Sequence, residues 1–188
     1  MTTYVGLLRG INVGGKNKIK MAELRDALSN EGFQNVKTYI QSGNVLFESE
    51  EAATLIRKKM EEIIGEQFGL RVPIVLRTAF EWKNIVRNCP FHDEQLSKAQ
   101  ETASGESLYV AMLAEPLLED DEKKMLTYAS ETEECEMRDR EIYLLFHESI
   151  RNSKLAAFIT RSNEYATVRN WKTINKVDSM LPSVQAKM

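Results

Sequence analysis

The same order of elements is legible twice along this chain, and that repetition limits the fold more than any single motif does. Tyr4 to Arg9 is apolar and of strand length. After a glycine-rich loop, MAELRDALSNEG places Met21, Leu24, Ala27 and Leu28 at helical spacings, with Gly32 as a stop. VKTYIQ and NVLFES are β-prone runs on either side of Ser42-Gly43, the chemistry of a tight hairpin turn. Residues 51 to 68 put Leu55, Ile56, Met60, Ile63, Ile64 and Phe68 on one helical face, and Val72 to Arg77 reads as a strand after Gly69. The order β-α-β-β-α-β is the split βαβ, or ferredoxin-like, arrangement: a mixed sheet with two helices on one face.

The second copy is visible in letters. Tyr4-Val5-x-x-Leu8 returns as Tyr109-Val110-x-x-Leu113, Val45-Leu46-Phe47 as Leu144-Leu145-Phe146, and Trp82-Lys83-x-Ile85 as Trp171-Lys172-x-Ile174. Three matches in one order argue for duplication, with the second copy shortened mainly between its hairpin and its Trp-Lys helix. The expected fold class is therefore α+β, two ferredoxin-like halves with antiparallel or mixed sheets and helices on one face. The first half covers residues 1–89 and the second 107–188. Residues 90–106, polar and turn-rich, are expected to form a linker or long surface loop.

Two cysteines, Cys89 and Cys135, and two histidines in 188 residues signal neither a disulfide framework nor a metal site, and no cofactor is expected. The start MTTYVGLLRGINVGG lacks the basic and apolar regions of a secretory leader, and no apolar run reaches membrane-spanning length, so a cytoplasmic protein without a membrane partner is expected. Charge is uneven. Residues 1–47 hold 6 basic and 3 acidic groups, 48–150 hold 12 and 23, and 151–188 hold 7 and 2. Positive ends suit an anion-binding face, but a pI near 5.6 lacks the global basicity of usual nucleic-acid binders, so solvated helix surfaces are the preferred reading of the split.

The richest local signal is RGINVGGKNKIK, residues 9–20, in which glycines and cations connect a strand to a helix. Glycines let backbone N–H groups converge, and Lys16 and Lys18 add charge without demanding geometry, which is anion-recognition chemistry. Gly10 to Lys16 matches seven positions of the nucleotide-triphosphate loop. Asn17 stands where that motif needs a hydroxyl, and the helix begins near Met21 rather than at Lys16, so that motif is rejected. The equivalent stretch of the second copy, EPLLEDDEKK, is acidic. The fold itself therefore does not demand the glycines and cations of the first.

Among other candidates, Gln41, Ser42 and Asn44 could hydrogen-bond a ligand, with turn chemistry the preferred reading for Ser42 and Asn44 and Gln41 left open. Arg169, Asn170, Trp171 and Lys172 offer a phosphate-plus-stacking set, with core packing preferred for the Trp171 ring because Trp82 is its counterpart. His92-Asp93 and His147-Glu148 are the histidine–acid neighbours, without a nucleophile elbow beside them. The acidic run Glu119 to Glu122 reads as a helix start in which negative charge meets the helix dipole.

LLRGINVGGKNKIKM, TYIQSGNVLF and ATVRNWKT together resemble a bacterial family known as domain of unknown function 1697. The resemblance implies a small α+β protein with two ferredoxin-like halves. It implies no activity, so it supplies motif positions only: Arg9, Asn12, Gly14, Gly15, Lys16, Gln41, Ser42, Asn44, Arg169 and Asn170. With Lys18 these are the candidate ligand-binding residues. The expected function is a cytoplasmic binding module for a phosphate-bearing ligand, a nucleotide or single-stranded nucleic acid, engaged by the Gly-rich basic loop 9–20 together with Arg169 and Asn170. The rivals are an enzyme acting on a small phosphorylated or acyl substrate and a protein–protein interaction module; no catalytic residue is singled out, and oligomeric state is left open.

Overall fold

A computed structural model describes residues 1–183, which divide into two compact units. The first comprises Met1–Asn84 with the segment from Val177 onward, and the second comprises Ile85–Lys176.

In the first unit, β1 (Thr2–Leu8), α1 (Met21–Asn30), β2 (Gln34–Tyr39), β3 (Asn44–Ser49), α2 (Ala53–Phe68) and β4 (Ile74–Thr78) follow one another as the hydrophobic pattern predicts. The sheet order is β2-β3-β1-β4, and every pairing is antiparallel rather than mixed. Strand alternation sends Tyr4, Leu8, Phe47 and Ile74 to one face, where they meet Leu24 and Leu28 of α1 and Ile56, Met60 and Ile64 of α2. Leu55 departs from the expected stripe and is exposed, because it lies about 100° around the helix from Ile56. Val5, Leu7, Val75 and Arg77, on the opposite face, are buried as well.

The second unit repeats the topology with β5 (Leu108–Leu113), α5 (Glu119–Leu126), β6 (Glu133–Arg138), β7 (Glu141–Phe146), α6 (Lys154–Ser162) and β8 (Ala166–Asn170), in the antiparallel order β6-β7-β5-β8. A helix follows the last strand of each copy: α3 (Ala79–Arg87) and α7 (Trp171–Met180). The stretch expected as a linker instead carries α4 (Asp93–Thr102), which packs against β7 and buries Ala99 completely. Ser104 N–H donates to Glu148 O, so this segment is part of the second unit's own packing; the Tyr143 hydroxyl likewise donates to Ile85 O of α3 at 2.7 Å.

The strand register corrects two of the three letter matches. Tyr4 stands opposite Thr78 and Tyr109 opposite Asn170, which makes Arg77 equivalent to Arg169 and Trp82 equivalent to Ile174. Tyr4 faces Phe47 whereas Tyr109 faces Leu144, so the hairpin match is displaced by two positions and the Trp-Lys match by three. Two is the period of a strand and three is close to one helical turn, so each slide keeps apolar residues on the same face. Trp82 is fully buried, as expected of core packing, whereas Trp171, not its true counterpart, is half-buried. No helix among the described residues is long and apolar enough to cross a membrane.

Candidate functional site

The two copies close the ends of their first strands in the same way and then part. In the first, Leu8 N–H donates to Gly43 O and Arg9 N–H to Pro73 O; in the second, Leu113 N–H donates to Arg140 O and Ala114 N–H to Tyr165 O. From that shared point the second copy reaches α5 directly through residues 114–118, whereas the first extends through residues 9–20 before α1 begins.

This loop is folded by its own backbone. Ile11 and Ile19 are buried in the core of the unit and hold both stems, leaving residues 13–18 exposed. Between the stems Asn12 N–H donates to Asn17 O, and Lys16 N–H donates to Val13 O across a short antiparallel bridge. The bridge turns through Gly14 and Gly15 at φ 57° and 76°, a pair of left-handed residues that glycine adopts without steric cost. The Asn12 side chain locks the loop to its surroundings. Its Nδ2 donates to Ile19 O at 3.0 Å and Gln41 O at 2.9 Å, while its Oδ1 accepts from Ile19 N–H at 2.9 Å. Asn17 Nδ2 donates to Gly10 O.

The folded loop, the hairpin and the start of α1 enclose an open groove of about 690 Å³ lined by Asn12, Gly15, Lys18, Ile19, Lys20, Met21, Ala22, Glu23 and Gln41. The residue before α1 is Lys20, whose side chain makes no cap to the first helical turn, and Met21, Ala22 and Glu23 of that turn line the groove. Lys20 pairs with Glu23 at 2.9 Å, and that hydrogen bond raises its pKa. Lys16 and Lys18 have no ion-pair partner among the described residues. The groove thus combines ammonium groups, helix-start amides and the Gln41 amide, a donor set suited to oxyanions.

Of the residues expected to bind a ligand, Asn12, Gly15, Lys18 and Gln41 line this groove, and Gly14 and Lys16 form the adjoining tip. Arg9 is half-buried beside the stem. Ser42 and Asn44 serve the turn: fully buried Asn44 donates from Nδ2 to Tyr39 O and to the Ser42 hydroxyl. Arg169 and Asn170 belong to the second unit. Arg169 is a buried structural group rather than a surface cation: it is 8% exposed, with Nη1 donating to Thr167 Oγ1 and Val168 O. Asn170 Oδ1 accepts from Thr173 N–H and caps α7. Lys20, Glu23 and the bare helix start were not singled out from the sequence. Their signal is negative: the segment KIKM offers no Ser, Thr, Asp or Asn where a helix N-cap belongs.

The family described as Protein of unknown function (DUF1697) matches residues 1–143, which include the basic loop and the Gln41 hairpin but not ATVRNWKT. Among solved structures the chain is similar to the conserved bacterial protein SP0830 from Streptococcus pneumoniae, at 25% identity with a TM-score of 0.74. That similarity covers 96% of this chain and 99% of the other. No curated protein matches the chain.

Proposed function

Given that the chain belongs to the DUF1697 family, whose description carries no activity, we propose from its geometry that it is a cytoplasmic binding module for a phosphate-bearing ligand, a nucleotide or single-stranded nucleic acid, held in the groove beside residues 9–20. The observation that carries this reading is the divergence of the two copies after two equivalent hydrogen bonds. The sheet closes without such a loop in the second copy, so sheet closure does not demand the first copy's longer loop or its exposed lysines. The volume of about 690 Å³ falls in the range of small-ligand sites. Buried Val5, Leu7 and Leu46 take the sheet face that RNA-recognition modules use for base stacking out of solvent. Binding is therefore assigned to the loop, and Arg169 and Asn170 are left to packing and capping.

The test is a titration of a fluorescent single-stranded oligonucleotide, and in parallel a fluorescent adenine nucleotide, across a salt series. For the oligonucleotide, log affinity is expected to fall linearly with log salt, with a slope equivalent to about two phosphate contacts, and Lys18→Ala to reduce that slope by about one. Absence of binding to both probes at low salt, or undiminished binding by a Lys16→Ala/Lys18→Ala double variant, would overturn the reading.

A further inference from the structure

The second unit carries a groove of its own, of about 580 Å³, lined by Lys98 and Thr102 of α4 on one side and Glu131, Thr132, His147 and Glu148 on the other. It exists because residues 93–102 form a helix that packs against β7. His147 N–H donates to Thr132 O and prolongs the β6–β7 ladder by one step beyond β7. Alternation along β6 then divides two neighbouring glutamates between the sheet faces. Glu133 accepts from the Ser153 hydroxyl at the start of α6, while Glu134, opposite Leu145, lies within 2.9 Å of His147 Nε2 across the ladder.

A carboxylate at Glu134 can only accept, so in the neutral imidazole form the pairing puts the proton on Nε2 and leaves Nδ1 as the acceptor nitrogen of a ring that lines the groove. The charged side chains that line it are Lys98, Glu131 and Glu148, with Glu134 paired to the imidazole. This balance disfavours a phosphate. It suits a ligand that brings an ammonium group for the imidazole and the acids together with an anionic group for Lys98.

We propose that this groove is a second binding site, distinct from the basic loop, that takes a small zwitterion of the α-amino acid type, with His147 held by Glu134 as its central acceptor. The ammonium is bound by His147 and Glu148 and the carboxylate by Lys98. Glu134 is a positioning residue.

The chain contains two histidines, His92 and His147, so 15N labelling of histidine gives one reporter at the groove and one internal control. L-alanine is titrated as the probe, with ethylamine and propionate as its singly charged halves. The expected result is that L-alanine shifts the His147 ring signals and leaves His92 unmoved, and that each half binds at least about tenfold more weakly. Lys98→Ala and Glu148→Gln are each expected to weaken L-alanine binding by about tenfold, and Glu134→Gln to change the His147 tautomer signature. The proposal is overturned by L-alanine leaving His147 unmoved, by equal shifts at His92 and His147, by either half binding as well as L-alanine, or by undiminished binding in Lys98→Ala and Glu148→Gln.

Discussion

Arg169 donates from Nη1 to the Thr167 hydroxyl at 2.7 Å, two positions back along β8 and on the same buried face of the sheet. Burial disfavours its charge and lowers its pKa to about 10, so the guanidinium is retained through its fixed fork of hydrogen bonds rather than by solvation. Replacing it with lysine keeps the charge and removes the fork. Arg169→Lys is expected to lose about 1–3 kcal/mol in urea unfolding while leaving oligonucleotide binding unchanged. Weakened binding at wild-type stability would return Arg169 to the ligand.

Tyr143 is a second buried group with a consequence for stability. Desolvation, reinforced by Glu141, raises its pKa, and its hydroxyl donates to Ile85 O at 2.7 Å. The folded state therefore holds the proton to higher pH than the unfolded chain does. The stability it contributes is complete below the ordinary tyrosine value of about 10 and is lost as pH rises above it. Tyr143→Phe is expected to cost about 1 kcal/mol at pH 7 and to flatten the alkaline loss of stability, as read from melting temperature against pH. An unchanged alkaline slope in the variant would contradict this.

Two glycines near the site predict opposite degrees of damage. A Cβ at Gly43, where φ is 82°, would lie 2.7 Å from Leu8 Cβ and 2.8 Å from Ile11 Cδ1; at Gly14 it would meet nothing within 4 Å. Gly14→Ala should cost only the left-handed backbone, about 1 kcal/mol, whereas Gly43→Ala adds overpacking and should cost about 2–4 kcal/mol by denaturant unfolding. Equal losses would mean that the hairpin and the loop stem yield independently.

Asn12 tests whether the loop must be held in place to bind. Asn12→Asp keeps the shape and the residue's tolerance of φ 56°, but replaces the donor to Ile19 O and Gln41 O with a charged acceptor facing two carbonyls. A loss of about 2 kcal/mol and at least about a tenfold fall in nucleotide affinity are expected. Binding that survives a measured loss of stability would separate the loop's fold from its function.

How much of this was legible in the sequence follows from which signals are local. The four strands and two helices of the first copy declare themselves as β-prone runs and helical apolar stripes bounded by turn residues, and the Gly-Lys loop because its composition is unlike its counterpart. The helix α4 does not: its buried apolar contribution is Ala99, too little to set a period against Asp, Glu, Gln and Lys. A bare helix start such as Lys20-Met21 is an absence, and absences carry no pattern. The partner of His147 was equally hidden. The neighbour in sequence is Glu148, whereas the side chain that touches it is Glu134, brought close by the β6–β7 hairpin.

Lys83 Nζ lies 3.1 Å from Asp178 Oδ1, a half-buried ion pair of the first unit that joins residues on either side of the point where the chain leaves that unit after Asn84 and the point where it returns at Val177. The second unit is therefore an insertion whose entrance and exit are neighbours. Folded, it is a short bridge between two adjacent ends; unfolded, it is a long flexible loop that the first unit must close at an entropic cost that grows with the logarithm of its length. During synthesis the first unit is left incomplete until Val177 and the residues after it have emerged.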